Sequence, residues 1–144
     1  RFALLGPFDP NPAAIESAEL QGWIDEGVVD YWGDTADVRP ALERCNIFVL
    51  PSYREGLPHS VLEAMAVGRT VITTDVPGCR DTVEDGINGY LVPAQDAAAL
   101  ANAMFRCLML NAPLAAMGVA SRDLAERQFD VELINKKLLE RMKL

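Results

Sequence analysis

The stretch NIFVLPSYREGLPHSVLEAMAVGRTVITTD, Asn46 to Asp75, decides the fold. "NIFVLPS" is a continuous apolar run, the pattern of a parallel strand buried on both faces. "PHSVLEAMAVG" is built of helix formers and stops at Gly68. "TVITTD" is β-branched and reads as the next strand. Strand, short loop, helix and strand in that order make a βαβ unit.

The same alternation extends outward. "FALLG" (Phe2–Gly6) is a short apolar run ended by Gly and Pro. "AAIESAELQGWIDEG" reads as a helix that stops at Gly27, and "VVDYWG" (Val28–Gly33) as a strand. "DVRPALERC" is a short helix with Pro40 in its first turn. After Asp75 come a loop with a short helix inside it, the turn pairs Asp85-Gly86 and Asn88-Gly89, and the strand "YLVP". From Asp96 the chain is helical, with Leu100, Met104 and Leu108 as its apolar positions. The final helix carries Val131, Ile134, Leu138 and Met142 on one face, with Asp130 as its cap. The expected fold class is α/β, a Rossmann-like parallel sheet with helices on both faces. One domain is expected over residues 1–144. The start at Arg1, directly before a strand and without Met, reads as a piece of a longer protein cut at its amino end.

Composition narrows the function. Half of the 144 residues are hydrophobic, enough for a core, and the net charge is −8. That acidic balance argues against a nucleic-acid or anionic-membrane surface, which would need a basic stripe. A small anionic ligand needs only a local pocket and is not excluded. Cys45, Cys79 and Cys107 are widely spaced and form no metal pattern. Their odd, sparse use fits reduced thiols in the cytoplasm. No apolar run has the length of a membrane span, and no signal-peptide pattern opens the chain.

Open parallel sheets bind ligands beyond the carboxyl ends of their strands. The loop after "NIFVLPS" places Glu55 at such an end. The helix that follows starts near His59, so the free N–H groups of its first turn fall on His59, Ser60 and Val61. Such an end attracts phosphate through those groups and the helix dipole. Gly56 lets a ligand approach the backbone. Glu63 lies about a turn further in. Carboxylates would repel a phosphate but accept hydrogen bonds from paired hydroxyls. Glu, helix end and Glu together outline a sugar, a diphosphate and a second sugar. The plainer reading stands beside it: Glu63 is favoured near a helix start by the dipole alone, and Glu55 before a Gly turn is solvated. Spacing does not fix the separation that acid–base work by the pair would need.

At these residues the chain resembles the retaining glycosyltransferases of family 4, the group 1 family. Their signature of two Glu inside EG-x-P-x(4)-EAMA-x-G-x-P-V-I stands here as "EGLPHSVLEAMAVGRTVI", and "TTDVPGCRDTVEDGINGYLVPAQDAAALANAM" matches the continuation. The resemblance runs from about Val28 to about Met104. It implies the carboxyl-terminal, donor-binding domain of a GT-B enzyme. By the same resemblance, Glu55 contacts the donor sugar near the reacting centre and Glu63 holds the ribose. Gly56 and Leu57 pack on the transferred sugar. His59, Ser60 and Val61 lie by the diphosphate, and Gly33, Asp34 and Thr35 fall in the base-binding loop. It further implies a UDP-sugar as donor substrate, no cofactor and no metal. The family's Arg and Lys for the diphosphate, and its amino-terminal acceptor domain, lie outside this chain. Any membrane contact would come through the full-length protein, peripheral at the inner membrane face. A GDP- or ADP-sugar donor, or a nucleotide-binding module without activity, is the alternative. Thr70 stands where the family often has Pro, and His59 is unusual in its slot.

Several residues keep two readings. His59, the only His, is a diphosphate neighbour or a solvated loop residue rather than a base. Arg54 and Arg80 flank the mouth as surface residues or as offsets to donor charge. Cys79 is structural rather than a nucleophile. Trp23 reads as helix packing, and Trp32 as core or as a wall on which a base stacks. Asp75 shapes the mouth by bonding nearby N–H groups.

Overall fold

The computed structural model describes residues 1–8, 11, 14–109 and 113–142. The expected helix start at Ala13, and Asp9 and Pro10 of the first loop, lie outside the described residues. The chain divides into two compact units, Arg1–Val38 and Arg39–Leu144.

In the first unit, β1 (Phe2–Leu4) pairs in parallel with β2 (Val29–Tyr31), and α1 (Ser17–Asp25) connects them. The connection is a βαβ crossover, the only short way to join parallel neighbours. Gly27 ends α1 as expected, with its N–H bonded to the Ile24 carbonyl and the Val28 N–H to Trp23. The Tyr31 hydroxyl donates to the Gly6 carbonyl at 2.8 Å. The Phe8 ring lies 5.3 Å from that of Tyr31.

The second unit carries a three-stranded parallel sheet in the order β3 (Ile47–Leu50), β4 (Thr70–Thr74), β5 (Gly89–Val92). The short α2 (Arg39–Glu43) leads into it. Helix α3 (His59–Ala66) joins β3 to β4, a single 3-10 turn at Arg80–Thr82 lies between β4 and β5, and α4 (Ala97–Met109), α5 (Leu114–Gln128) and α6 (Val131–Met142) all follow β5. The sheet's two faces are read directly from the period of two. Val71 faces Val61, Met65, Leu124 and Ala125 of α3 and α5. Ile72, Tyr90 and Val92 face Ala103, Cys107 and Met117 of α4 and α5. Helices therefore cover both faces of a parallel sheet, the expected α/β class.

Three expectations change. β3 was read as buried on both faces, but all four of its residues are only half-buried. It is an edge of its sheet, and β4, buried throughout, is the centre. On α4 the buried stripe is Ala103 and Cys107, while Leu108 is 55% exposed. Burial pushes the Cys107 thiol pKa up, opposed by the charge of Arg106. On α6 the Asp130 cap is present, accepting from the Glu132 and Leu133 N–H groups at 2.9 and 3.0 Å. Yet Val131, Leu138 and Met142 are exposed, and none of its described residues is buried.

α3 and α5 touch at backbone distance. A Cβ on Gly118 would sit 2.3 Å from the Gly68 carbonyl oxygen. Gly68 itself has φ of 72° and closes α3, with its N–H on Met65 and the Arg69 N–H on Ala64. That closure fixes where α3 ends, and so where its other end meets the strand mouths.

Candidate functional site

The carboxyl ends of β3 and β4 carry the site in the second unit. Strand pairing ends at Leu50 opposite Thr73. Beyond it, side chains take over from the ladder. The Thr73 hydroxyl donates to the Leu50 carbonyl at 2.8 Å. The Thr74 hydroxyl donates to the Ser52 carbonyl. Ser52 in turn donates from its Oγ to Glu55 Oε1 at 2.8 Å. Glu55 is half-buried, unlike the exposed Tyr53 and Arg54 before it. Its carboxylate is therefore tethered within a turn and not left to solvent.

A second contact fixes the same segment. Gly78, in the loop after β4, is buried and has φ of 84°. A Cβ there would sit 1.8 Å from the Gly56 carbonyl oxygen and 2.8 Å from that of Glu55. Only a residue without a side chain permits both the backbone angle and the contact. The loop after β4 thus lies directly under the Glu55–Gly56 peptide. Sequence reasoning missed Ser52, Thr74 and Gly78. The one local signal was a Gly after Pro77; the Thr74 bond spans 22 residues and leaves no mark in the sequence.

α3 begins at His59, as expected, with Pro58 at its cap position and no side-chain cap bond. The Val61 and Leu62 N–H groups both donate to the Pro58 carbonyl, at 3.1 and 3.2 Å. The N–H assigned as free at Val61 is therefore taken, and the Val61 side chain is fully buried in the core. The His59 and Ser60 N–H groups have no partner among the described residues. Uncapped N–H groups and the positive end of a helix dipole favour negative charge at such an end. Leu57, exposed at 40%, stands in the loop just before it.

Glu63 is exposed, so it is no misplaced core residue. It sits one turn from His59 on the same face of α3. Both line an open cleft of about 290 Å3 with Arg122, Glu126, Phe129 and Asp130. Arg122 is bonded to Glu126 Oε1 at 2.6 Å and to the Ala66 carbonyl. Glu55 does not line that cleft. The structure thus groups Glu55 with Ser52 and Gly78, and Glu63 with His59.

Other sequence readings resolve as follows. Asp75 pairs with Arg80 at 2.9 Å, and Arg80 also bonds the Asp75 carbonyl, so Asp75 holds a guanidinium where N–H groups were expected. Cys79 is fully buried, which suits packing and denies a nucleophile its access. Trp23 and Trp32 are both half-buried. Gly33, Asp34 and Thr35 belong to the first unit. Gly33 has φ of 70° and accepts from the Gly6 N–H; Asp34 Oδ1 accepts from the Thr35 N–H, and the Thr35 hydroxyl donates to the Asp37 carbonyl. They form a turn at the end of β2 that is half-buried and tied to Gly6 at Gly33, and exposed and internally bonded at Asp34 and Thr35. No group of His, Cys, Asp and Glu suited to a metal occurs among the described residues. No single described helix is long and apolar enough to cross a membrane.

With that geometry in view, comparison with known proteins is specific. The family profile of the glycosyl transferases group 1 matches residues 1–109. The chain is 38% identical over 96 residues to the N,N'-diacetylbacillosaminyl-diphospho-undecaprenol alpha-1,3-N-acetylgalactosaminyltransferase of Campylobacter jejuni, covering 67% of this chain and 24% of that protein. Among solved structures, sucrose-phosphate synthase of Thermosynechococcus elongatus is 31% identical with a TM-score of 0.82, over 98% of this chain and 37% of that one. HepE of Anabaena, solved in complex with UDP, is 25% identical with a TM-score of 0.79, over 88% of this chain and 35% of that one. The chain spans about a sixth to a third of the length of the curated relatives it matches.

Proposed function

We propose that this chain, which belongs to the glycosyl transferases group 1 family, is the nucleotide-sugar-binding part of a retaining glycosyltransferase of GT-B architecture. The donor is a UDP-sugar, and the transferred group is a hexose or an N-acetylhexosamine. The acceptor is a glycan or a lipid-linked glycan, met by the full-length protein at the inner membrane face. The observation that carries the reading is the tethered Glu55 carboxylate in the loop that leads into α3, a helix whose first N–H groups, on His59 and Ser60, are open.

The chemistry follows from those parts. The sugar–phosphate bond breaks with positive charge growing on the sugar and negative charge on the leaving diphosphate. Open N–H groups and a helix dipole stabilise the latter without reorganising, which lowers the barrier. Glu55 accepts hydrogen bonds from the sugar hydroxyls and fixes the ring over the reacting centre. Glu63, a turn further along, accepts from the ribose. HepE, solved with UDP, and the Campylobacter enzyme, named for a diphospho-undecaprenol acceptor, support the donor and acceptor classes. For the 144 residues by themselves the proposal is donor binding without transfer.

Isothermal calorimetry with UDP, UDP-glucose, UDP-N-acetylgalactosamine and GDP-mannose tests the donor. UDP and one UDP-sugar should bind, and GDP-mannose should not. Preference for GDP-mannose would move the reading to a GDP-sugar enzyme, and no binding of any nucleotide would refute it. In the full-length protein Glu55→Gln should lower turnover about a hundredfold, the scale of a misplaced reacting group.

A further inference from the structure

We infer that Thr74 is a positioning residue for Glu55, acting through Ser52, so that the end of β4 sets the sugar-facing carboxylate. The inference rests on the reading of Glu55 as a donor-sugar ligand and adds what holds it there.

The loop from Pro51 to Leu57 leaves β3, the edge strand, and has no ladder of its own. Three points of β4 and its loop hold it instead. The Thr73 hydroxyl takes the Leu50 carbonyl, the Thr74 hydroxyl takes the Ser52 carbonyl, and Gly78 lies against the Gly56 carbonyl. Thr74 is 2% exposed, and β4 is buried along its whole length. The anchor is therefore rigid, while the anchored loop is mostly exposed. Ser52 is the link: its carbonyl is held from below, and its hydroxyl reaches Glu55 Oε1 at 2.8 Å. A carboxylate on a two-torsion stem would otherwise sample several rotamers, and ordering it on ligand binding would cost affinity. Here the ordering is built in before the ligand arrives. The Thr74 hydroxyl bonds the Ser52 carbonyl and not Glu55 or the first residues of α3, so its loss should leave the phosphate end of the site alone.

The test uses Thr74→Val, which keeps shape and removes the hydroxyl, with Thr74→Ser as the conservative restoration and Ser52→Ala as the loss of the link. Each is titrated calorimetrically with UDP and with UDP-glucose or UDP-N-acetylgalactosamine, whichever the unmodified protein binds tighter. Thr74→Val and Ser52→Ala should bind UDP within about twofold of the unmodified protein. The ratio of UDP-sugar to UDP affinity should fall about tenfold, the worth of one well-placed hydrogen bond. Thr74→Ser should restore the ratio. A ligand-free reading comes from tryptic cleavage after Arg54, which should speed up in Thr74→Val and not in Thr74→Ser. An unchanged affinity ratio in Thr74→Val overturns the inference. If the unmodified protein binds no nucleotide, the proposed function fails by itself. The cleavage contrast then still decides the anchor: acceleration upholds it, and equal rates overturn it.

Discussion

Replacing Gly118 by Ala should destabilise the chain, although it sits in a helix where Ala is the better residue. On propensity alone the change in α5 gains up to about 1 kcal/mol. The new Cβ, however, would lie 2.3 Å from the Gly68 carbonyl oxygen and 3.2 Å from its carbon. Ordinary contact begins near 3.4 Å, so α3 and α5 must part by about an ångström. Both partners are backbone, and no flexible side chain can yield. The contacts of Val61 and Met65 with Leu124 and Ala125 would loosen along the same seam. Overpacking of this kind costs about 1–3 kcal/mol, and a rigid backbone clash belongs at the upper end. The net loss is about 2 kcal/mol, or roughly 5–10 °C in the melting midpoint. The control is Gly22→Ala in α1, where nothing lies within 4 Å; it should gain about 0.5–1 kcal/mol. Both tryptophans, Trp23 and Trp32, lie in the first unit. Tryptophan fluorescence therefore follows Gly22→Ala, while far-UV circular dichroism in urea follows Gly118→Ala. A Gly118→Ala variant as stable as the unmodified chain would refute the backbone seam.

Gly78→Ala and Gly86→Ala separate conformation from contact. Both residues have positive φ, 84° and 78°, but only Gly78 has backbone in the way. Gly86→Ala should cost about 1–2 kcal/mol for the left-handed angle, and Gly78→Ala at least about 2 kcal/mol more; equal losses by urea denaturation would deny the Gly56 contact. Asp130→Ala should remove the α6 cap at a cost of about 1 kcal/mol. Because α6 buries none of its described residues, the global midpoint should hardly move, while amide exchange at Glu132 and Leu133 speeds up about fivefold. Unchanged exchange at those two amides would show that the cap contributes nothing.

The strands, the α3 stop at Gly68 and the parallel class were legible because each rests on local pattern. The departures at α4 and β3 have different physical causes. Leu100, Met104 and Leu108 are spaced by four residues, and four steps of a 3.6-residue turn drift about 40° each time. By Leu108 the stripe has rotated off the sheet, while Leu100 and Met104 still pack against the core beside the buried Ala103 and Cys107. The large apolar residues thus mark the packed side of α4 at Leu100 and Met104 and leave it only at Leu108. β3 was misjudged for another reason. Its composition is that of a central strand, but edge or centre is a property of pairing order, which no single run contains.

The site divides in the same way. Glu55, Gly56 and the helix start at His59 were readable because their chemistry sits within a few consecutive residues. The bond that holds the Ser52 carbonyl was not readable, because the Thr74 hydroxyl arrives from β4. Removing one hydroxyl at Thr74 leaves every residue of "EGLPHSVLE" intact and still releases the Ser52 carbonyl. If the sugar increment in affinity falls in Thr74→Val while UDP binding holds, the motif is necessary without being sufficient. The end of β4 would then be as much a part of the donor site as the glutamate it holds. If it does not fall, Ser52 alone fixes the carboxylate through its own three-residue turn, and the site is as local as the sequence first made it look.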